Sequence, residues 1–582
     1  MTHQVIRRML VAQILSALTV SLCLLIDNLM ISRYLGSGAI AAYELANPVL
    51  LIIGAVSSML AAGIQVTCSK SLAMGSREET NRNYSTAVFF ALVISAVFTI
   101  VVFLLRDVIA HAVGAGSNEQ LFKDTREYMA GFVIGAPGAM IALVMAPFLQ
   151  MAGKSTLLVA AVAGMTVSDV VFDLLNVRVF KGGMFGMGLA SSLSYYVAVL
   201  IAIFYFLRPK CEFHYSQKLV SRKKLMELLR GGVPTAVNTI SSVVLVFALN
   251  WVLLQTGGAA AVAAYAVISG IGGAANAIST GIGGVSLTLS GILFNEEDQN
   301  GLKGLLKALL RYGVILGVAV GILLALLAPV FVGLFVPKAG EAQSMAVWGV
   351  RLFAVGLLPC CIVNAVKSYY QGTGRVGLCE IISVAECALL PLISSIVLSA
   401  AFGIRATWLF FALGEVLTVA LIFVHAAAKT KERRIPDMLM LLDERFGVSE
   451  DERMEVVIHS MADVIEAAEA AGKFCLSRDE SGKFANRIAL CVEEMASNTV
   501  LHGFKQGGSN YLSVRILHKG DKWVLRFRDD CTAFDPLHYV PPEGAPDALG
   551  IRLLLGMADE AMYAYSLNMN NLTLVLRERH AA

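Results

Sequence analysis

Three carboxylates stand inside long apolar stretches of this 582-residue chain, where a charge is expensive. Asp27 lies in the run 10–32, and Asp169 and Asp173 lie in the run 157–180. An unpartnered carboxylate inside a bilayer costs several kcal/mol, so one that is kept there is a functional candidate. Asp169 and Asp173 are four residues apart and share one helix face. Two such groups facing a third from another helix would share protons, and so could couple protonation to a change of shape. The alternative for Asp27 is capping at a helix end among headgroups. Glu386, in the run 377–402, is either functional or the buried partner of Lys367 or Arg351. Two other patterns carry no chemistry. Gly153-Lys154-Ser155-Thr156 ends like a phosphate loop, but Phe148 stands where that motif needs its first glycine. The ten cysteines include no Cys-x-x-Cys pair, and they read as packing residues and reduced thiols.

The elements that must position these groups follow from composition. The chain is 57% hydrophobic and only 15% charged, with a mean hydropathy of +0.70. That excludes a disordered or ordinary soluble protein and requires lipid as the solvent for its surface. The bias is uneven. Residues 1–436 carry 31 basic and 20 acidic residues, whereas 437–582 carry 15 and 23. A membrane region is therefore fused to a soluble one. Twelve spans are expected, near 10–32, 39–64, 86–105, 127–150, 157–180, 186–207, 231–255, 260–293, 312–335, 346–371, 377–402 and 405–427. The eighth is interrupted by glycines, which leaves its ends open. With the N-terminus inside, twenty-one Lys and Arg fall on inner loops and nine on outer ones. Both termini are thus expected in the cytoplasm, in an inner (plasma) membrane.

An internal repeat runs at an offset of about 222 residues. Ala41-Ala42-Tyr43 recurs as Ala263-Ala264-Tyr265, Pro137 as Pro359, and Gln150-x-x-Gly153-Lys154 as Gln371-x-x-Gly374-Arg375. Six helices per repeat give two lobes of the same orientation, with substrate bound between them. The expected division is an N-terminal lobe at 1–215, a C-terminal lobe with a charged junction at 216–436, and a soluble domain at 437–582.

The segment Ile26-Asp27-Asn28-Leu29-Met30-Ile31-Ser32-Arg33-Tyr34-Leu35-Gly36 resembles the first helix of the MATE (multidrug and toxic compound extrusion) family. Asn47-Pro48, Phe148-Leu149-Gln150 with Gly153-Lys154, Asp169-x-x-x-Asp173, Gly186-x-Gly188, Tyr370-Gln371-x-x-Gly374 and Trp408 with Gly414-Glu415 continue the likeness over about 1–427. The resemblance implies Na⁺ or H⁺ antiport of organic cations or other amphipathic compounds by two rocking lobes. It places cation coupling at Asp27, Asp169 and Asp173, and adds Ser194 as a weaker match. Asp169 stands where the family more often has Asn. The second lobe departs further, because Asn295-Glu296-Glu297-Asp298 replaces the usual Asn-Tyr-Gly-Ala.

Beyond the junction, helical period is read over 454–471, 484–501 and 549–558. Strands are read over 511–517 and 523–529 around a Lys519-Gly520-Asp521 turn, and over 562–566 and 572–576. Glu494-Met495-Ala496-Ser497-Asn498 with His502-Gly503, then Asp529-Asp530-Cys531-Thr532-Ala533-Phe534, then Leu549-Gly550-Ile551-Arg552 resemble three boxes of the GHKL ATP-binding fold. The likeness is nearest to anti-sigma serine kinases. It implies an α/β sandwich binding ATP and Mg²⁺. Glu494 would be the general base, Asn498 the Mg²⁺ ligand, and Asp529 the acceptor of the adenine amino group. Gly550 would lie by the phosphates and Thr573 near adenine. Cys531 replaces a glycine of the box, and the lid has one glycine and three prolines. Whether ATP is only bound, hydrolysed or used for phosphotransfer stays open.

The expected protein is an efflux transporter with a fused ATP-binding regulatory domain. Its partners are a small cationic or amphipathic substrate, the bilayer and a regulatory protein, with no nucleic acid. The rival is a membrane receptor whose domain is a serine kinase or anti-sigma-type binder. A lipid-linked saccharide flippase would want a cavity rich in Arg and Lys instead.

Overall fold

The computed structural model describes residues 3–208, 211–335, 340–443, 446–505, 510–539 and 548–578. Among them, eleven helices are long and apolar enough to cross a membrane. Glu119–Val133 and Ala136–Met151 meet at 47°, and as one bent span they bring the number to twelve. The eighth span begins just after a break at Gly258 (φ 62°, ψ −160°), close to the expected start at 260. The clustered glycines sit inside the helix Ala260–Asn295 and let neighbours close: a Cβ on Gly272 would meet the Phe353 ring, and one on Gly283 the Ser368 hydroxyl.

The repeat is visible in the backbone. The turn at 74–76 and the turn at 296–298 each put a left-handed residue in the middle, Gly75 (φ 63°) and Glu297 (φ 54°). Ser76 N donates to Ser71 O, and Asp298 N donates to Leu293 O, at the repeat offset. Ser76 and Asp298 then cap the following helices by accepting from Glu79 N and Gly301 N. Gly153 (φ 71°) and Gly374 (φ 77°) close the other repeated turn in the left-handed region that favours glycine.

The soluble domain has a five-stranded antiparallel sheet. Its strands are β1 (Arg453–Ile458), β2 (Leu512–Lys519), β3 (Lys522–Asp529), β4 (Glu560–Ser566) and β5 (Met569–Leu576), in the order β1-β2-β3-β5-β4. Helices Met461–Leu476 and Gly482–Asn498 cover one face, and Leu512, Val514, Leu525, Leu572 and Leu574 form the core with them. One expectation fails here. The helix expected over 454–471 is β1 followed by a separate helix. Arg453 to Ile458 alternates along a ladder with β2, β-branched residues suit that ladder, and Ser460 with Asp463 forms a capping box that fixes the helix start.

The start of the first helix, the two repeated turns and the soluble domain all lie at one end of the bundle, here the domain end. Val5, Arg8 and Met9 share a cavity wall with Tyr565 and Leu567. The lobes meet at this end. A Cβ on Gly63 would strike the Leu228 carbonyl, one on Gly232 the Met59 carbonyl, and Ser69 Oγ donates to Thr288 O at 3.3 Å.

Candidate functional site

The first helix (His3–Leu35) and the helix Ser155–Leu175 bring the sequence-chosen acids together. Asp27 is 8% exposed, and Asp169 and Asp173 are each 1% exposed. Cys23, one turn before Asp27, donates to Asp169 Oδ2 at 2.9 Å. Ligand atoms of Cys23, Asp27 and Asp169 lie within 4.8 Å of one another. Among the described residues, Asp27 Oδ1, Asp169 Oδ1 and both Asp173 oxygens have no hydrogen-bond partner. Burying unpartnered carboxylates is costly unless they take up a proton or a cation. A proton or a cation shared by these oxygens would remove that cost. Ser194 is buried but donates to Ser191 O on its own helix at 2.8 Å, so its hydroxyl is spent locally. Cys23 was missed by the sequence reading, although its i,i+4 spacing to Asp27 carries the signal.

The second lobe holds a different cluster. Glu386 pairs with Lys367, the first of its two expected partners, and also accepts from Asn364 Nδ2 at 3.2 Å. Lys367 Nζ donates to Asn238 Oδ1 at 2.8 Å. Glu415, 3% exposed, stands with Cys360 and Glu386 within the same 4.8 Å limit, and its Oε2 is unpartnered among the described residues. A lysine paired with one of the two carboxylates makes this lobe's cluster unlike the first.

In the soluble domain, a cavity of about 360 Å³ opens between the helix Gly482–Asn498 and the ends of β3 and β5. It is lined by Asn498, His502, Asp529, Cys531, Phe534, Tyr563 and Asn570, among others. Asp529 ends β3. Its Oδ1 accepts from Cys531 N at 3.0 Å and Asn570 Nδ2 at 2.8 Å. Burial pushes its carboxyl above the usual range, and those two donors partly offset this. Asn570 Oδ1 in turn accepts from the Tyr563 hydroxyl at 2.7 Å and Phe534 N at 3.0 Å.

The other expected residues are divided. Asn498 lines the cavity, while Glu494, half-buried one turn earlier, does not. Gly550 lies in the first turn of the helix Ala548–Met557, beside Ile551 of the lining. The three prolines of the lid fall outside the described residues. Thr573 is placed differently from the expectation. It pairs with Arg526 in the β3–β5 ladder and lines a separate cavity on the opposite face of the sheet. Strand alternation puts Asn570, three residues earlier, on the Asp529 side instead.

That opposite face is basic and is seated on the membrane part. Arg528 Nη2 donates to both carboxylate oxygens of Glu296, at 2.6 and 2.7 Å. Arg515 pairs with Asp298 at 3.2 Å, and Lys519 pairs with Glu297. Burial opposes the Asp298 charge, but Arg515 and the Gly301 N–H outweigh it and hold its carboxyl below the usual range. The sequence signals were the acidic departure at 296–298 and the alternation of Arg526 with Arg528.

Residues 12–175 match the MatE family model. Over 243 residues, 41% of this chain, the sequence is 23% identical to the multidrug export protein MepA of Staphylococcus saprophyticus. The chain spans about half (53%) of that relative's length. Among solved structures, an outward-facing multidrug resistance MATE family transporter of the MOP superfamily aligns with a TM-score of 0.68 at 19% identity, covering 72% of this chain and 93% of that one. A MOP superfamily transporter from Pyrococcus furiosus, described as having a binding pocket of reverse polarity, aligns with a TM-score of 0.67 at 20% identity, covering 73% and 96%. The chain is therefore a helical membrane protein with the MATE transporter fold.

Proposed function

We propose that this chain is a secondary efflux transporter of MATE type, driven by a Na⁺ or H⁺ gradient and exporting small cationic or amphipathic compounds. The observation that carries this is the Asp27/Asp169/Asp173 cluster, buried in one lobe with four carboxylate oxygens unpartnered among the described residues. Loading it with a proton or cation removes a desolvation penalty. A lobe that packs differently when loaded and unloaded couples the gradient to rocking. The Lys and Arg bias supports a cytoplasmic domain end.

The soluble domain is read as a regulatory ATP-binding domain of GHKL type. What supports this is a cavity large enough for a nucleoside, a buried carboxylate able to accept from an amino group, and Asn498 in the lining as the candidate Mg²⁺ ligand. Bound ATP would supply a triphosphate for sensing or transfer. Glu494 lies outside the lining, which favours sensing over phosphotransfer.

The test is export of a fluorescent organic cation from proteoliposomes under an imposed Na⁺ or H⁺ gradient, for wild type and Asp169→Asn. Gradient-driven export lost in the variant is expected. Equal export by both proteins would refute the site. The presence of a formed cavity keeps a second reading in view, a receptor with a serine-kinase or anti-sigma-type domain. No flux under any gradient, with ATP-dependent phosphorylation of a partner, would favour it.

A further inference from the structure

The soluble domain touches both lobes, and the two seats are unequal. On the second lobe the chain leading into the domain is itself packed. Met438, Leu439 and Met440 are buried, Tyr369 Oη donates to Met440 O at 3.1 Å, and Phe446 stacks on Phe294 at 4.9 Å. The Glu296–Arg528 and Asp298–Arg515 pairs add charged contacts in which no side chain is more than 16% exposed.

On the first lobe the contact is a close approach of backbone, Gly75 against Met562 and Gly153 against Asn568, with a backbone hydrogen bond and an exposed ion pair. Leu567 N donates to Met151 O at 2.7 Å, and Arg77 pairs with Asp535 at 2.7 Å with 55% of its side chain exposed. The Arg77 guanidinium also lies 5.7 Å from the Tyr563 ring centroid. Exposed ion pairs are worth little. Any motion that parts the lobes at the domain end must therefore break the first-lobe contact and leave the domain riding on the second lobe.

We propose that the domain is a latch: fixed to the second lobe, it grips the first through Arg77–Asp535 and Leu567–Met151, and holds the domain end of the transporter shut. The grip sits at the rim of the nucleotide cavity. Asp535 lies between Phe534 and Pro536 of the lining, and Tyr563 lines the cavity while facing Arg77. An occupant of the cavity thus bears on the weak half of the latch. This last step rests on the nucleotide-binding reading above, whereas the latch itself does not.

The experiment uses the full chain in nanodiscs. Ser69, fully buried where the lobes meet, is replaced by Cys, and its alkylation by a maleimide reports opening of the domain end. The parent protein gives the background from its own cysteines. Without nucleotide, Arg77→Glu is expected to raise the labelling rate about threefold, as loss of an exposed pair allows. Arg77→Glu with Asp535→Arg returns it toward wild type. Asp535→Asn serves as the milder variant, and faster hydrogen exchange of the Leu567 amide is the second readout. Labelling and exchange equal to wild type in all variants would overturn the latch. MgATP is expected to change labelling in wild type and not in Arg77→Glu. If a fluorescent ATP analogue binds but labelling does not change, the link to the cavity is wrong. If the analogue does not bind, the nucleotide reading fails, while the labelling without nucleotide still decides on the latch.

Discussion

Removing the Glu296 carboxylate should detach the soluble domain from its main seat. Both oxygens of Glu296 accept from Arg528, whose Nε donates to Asn571 Oδ1 at 2.6 Å. Burial works against the Arg528 charge, yet Glu296 outweighs it and holds its guanidinium above the usual range. Arg526 is held below its usual range by burial, with Arg515 and Arg528 adding to this against the opposing pull of Glu296. Glu296→Ala therefore removes the bidentate acceptor of Arg528 and leaves three guanidinium groups on one sheet face with less acid to answer them. Breaking a fully buried pair costs about 3–5 kcal/mol. With exposures of 9% and 16% for the two side chains, about 2–3 kcal/mol is the discounted figure. Arg528→Met leaves the acid with Arg526 and Arg515 nearby and should cost about 1–2 kcal/mol, and the double variant should fall short of the sum by about 1.5 kcal/mol. Trp523, fully buried in the domain core 5.6 Å from Phe474, reports thermal unfolding of the domain by its fluorescence. For a domain of this size Glu296→Ala should lower the midpoint by about 6–9 °C. A midpoint unchanged within about 1 °C, or strictly additive single variants, would refute the docking argument.

Neutralising an unpartnered buried carboxylate removes a burial cost, so Asp173→Asn should abolish coupled export while leaving the thermal midpoint unchanged or raised; a large drop in midpoint would mean a structural role. Asp529→Ala should weaken ATP binding by about 10–100-fold, as loss of a charged hydrogen-bond acceptor does, while Thr573→Ala on the other sheet face should leave it unchanged, both read by titration with a fluorescent ATP analogue. Glu212, beside Arg77 and Tyr565 where the domain meets the first lobe, has its carboxyl raised from 4.5 to about 8 by burial, against the pull of Lys154 and Arg77. An acid whose folded pKa lies above its unfolded one stabilises the fold below pH 4.5 and loses that contribution as pH rises toward about 8. The thermal midpoint should therefore fall across that window, and Glu212→Gln should flatten the profile. A Cβ at Gly232 would strike the Met59 carbonyl, so Gly232→Ala should hold the domain end open and speed alkylation of Ser69→Cys.

Composition and spacing carried the architecture because a membrane leaves few choices. Runs of spanning length must be helices, and a fixed repeat offset must give matching turns. The Asp cluster was legible for the same reason, since acids are rare in lipid-facing sequence. The soluble domain was harder. Residues 454–458 read as helix when taken with the apolar period of the helix that follows, and only the ladder to β2 makes them a strand. Thr573 was matched to a family position near adenine by resemblance, but the period of two along β5 sends it to the face opposite Asp529. Glu386 could be matched to either of two cations by sequence. Choosing Lys367 needs the packing of three helices, which no local pattern encodes.

Bulk charge gives a misleading account of how the two parts fit. The membrane part is basic overall and the soluble part acidic, so simple attraction would seat acidic domain surface on basic loops everywhere. The first-lobe seat follows that rule, with Arg77 on Asp535, as does the Lys303–Asp437 pair at the junction on the second lobe. Where the sheet face meets the second lobe the polarity is inverted, with Glu296, Glu297 and Asp298 held by Arg528, Lys519 and Arg515. The two turns involved are repeat equivalents with nearly the same backbone, 74–76 and 296–298. Acid on the turn at 296–298, with Arg77 just after the uncharged turn at 74–76, selects this docking, because the rotated one would set Arg77 against a basic sheet face. The acidic departure at 296–298 thus orients the domain, and it leaves the weaker, more exposed seat on the lobe that carries the Asp27/Asp169/Asp173 cluster.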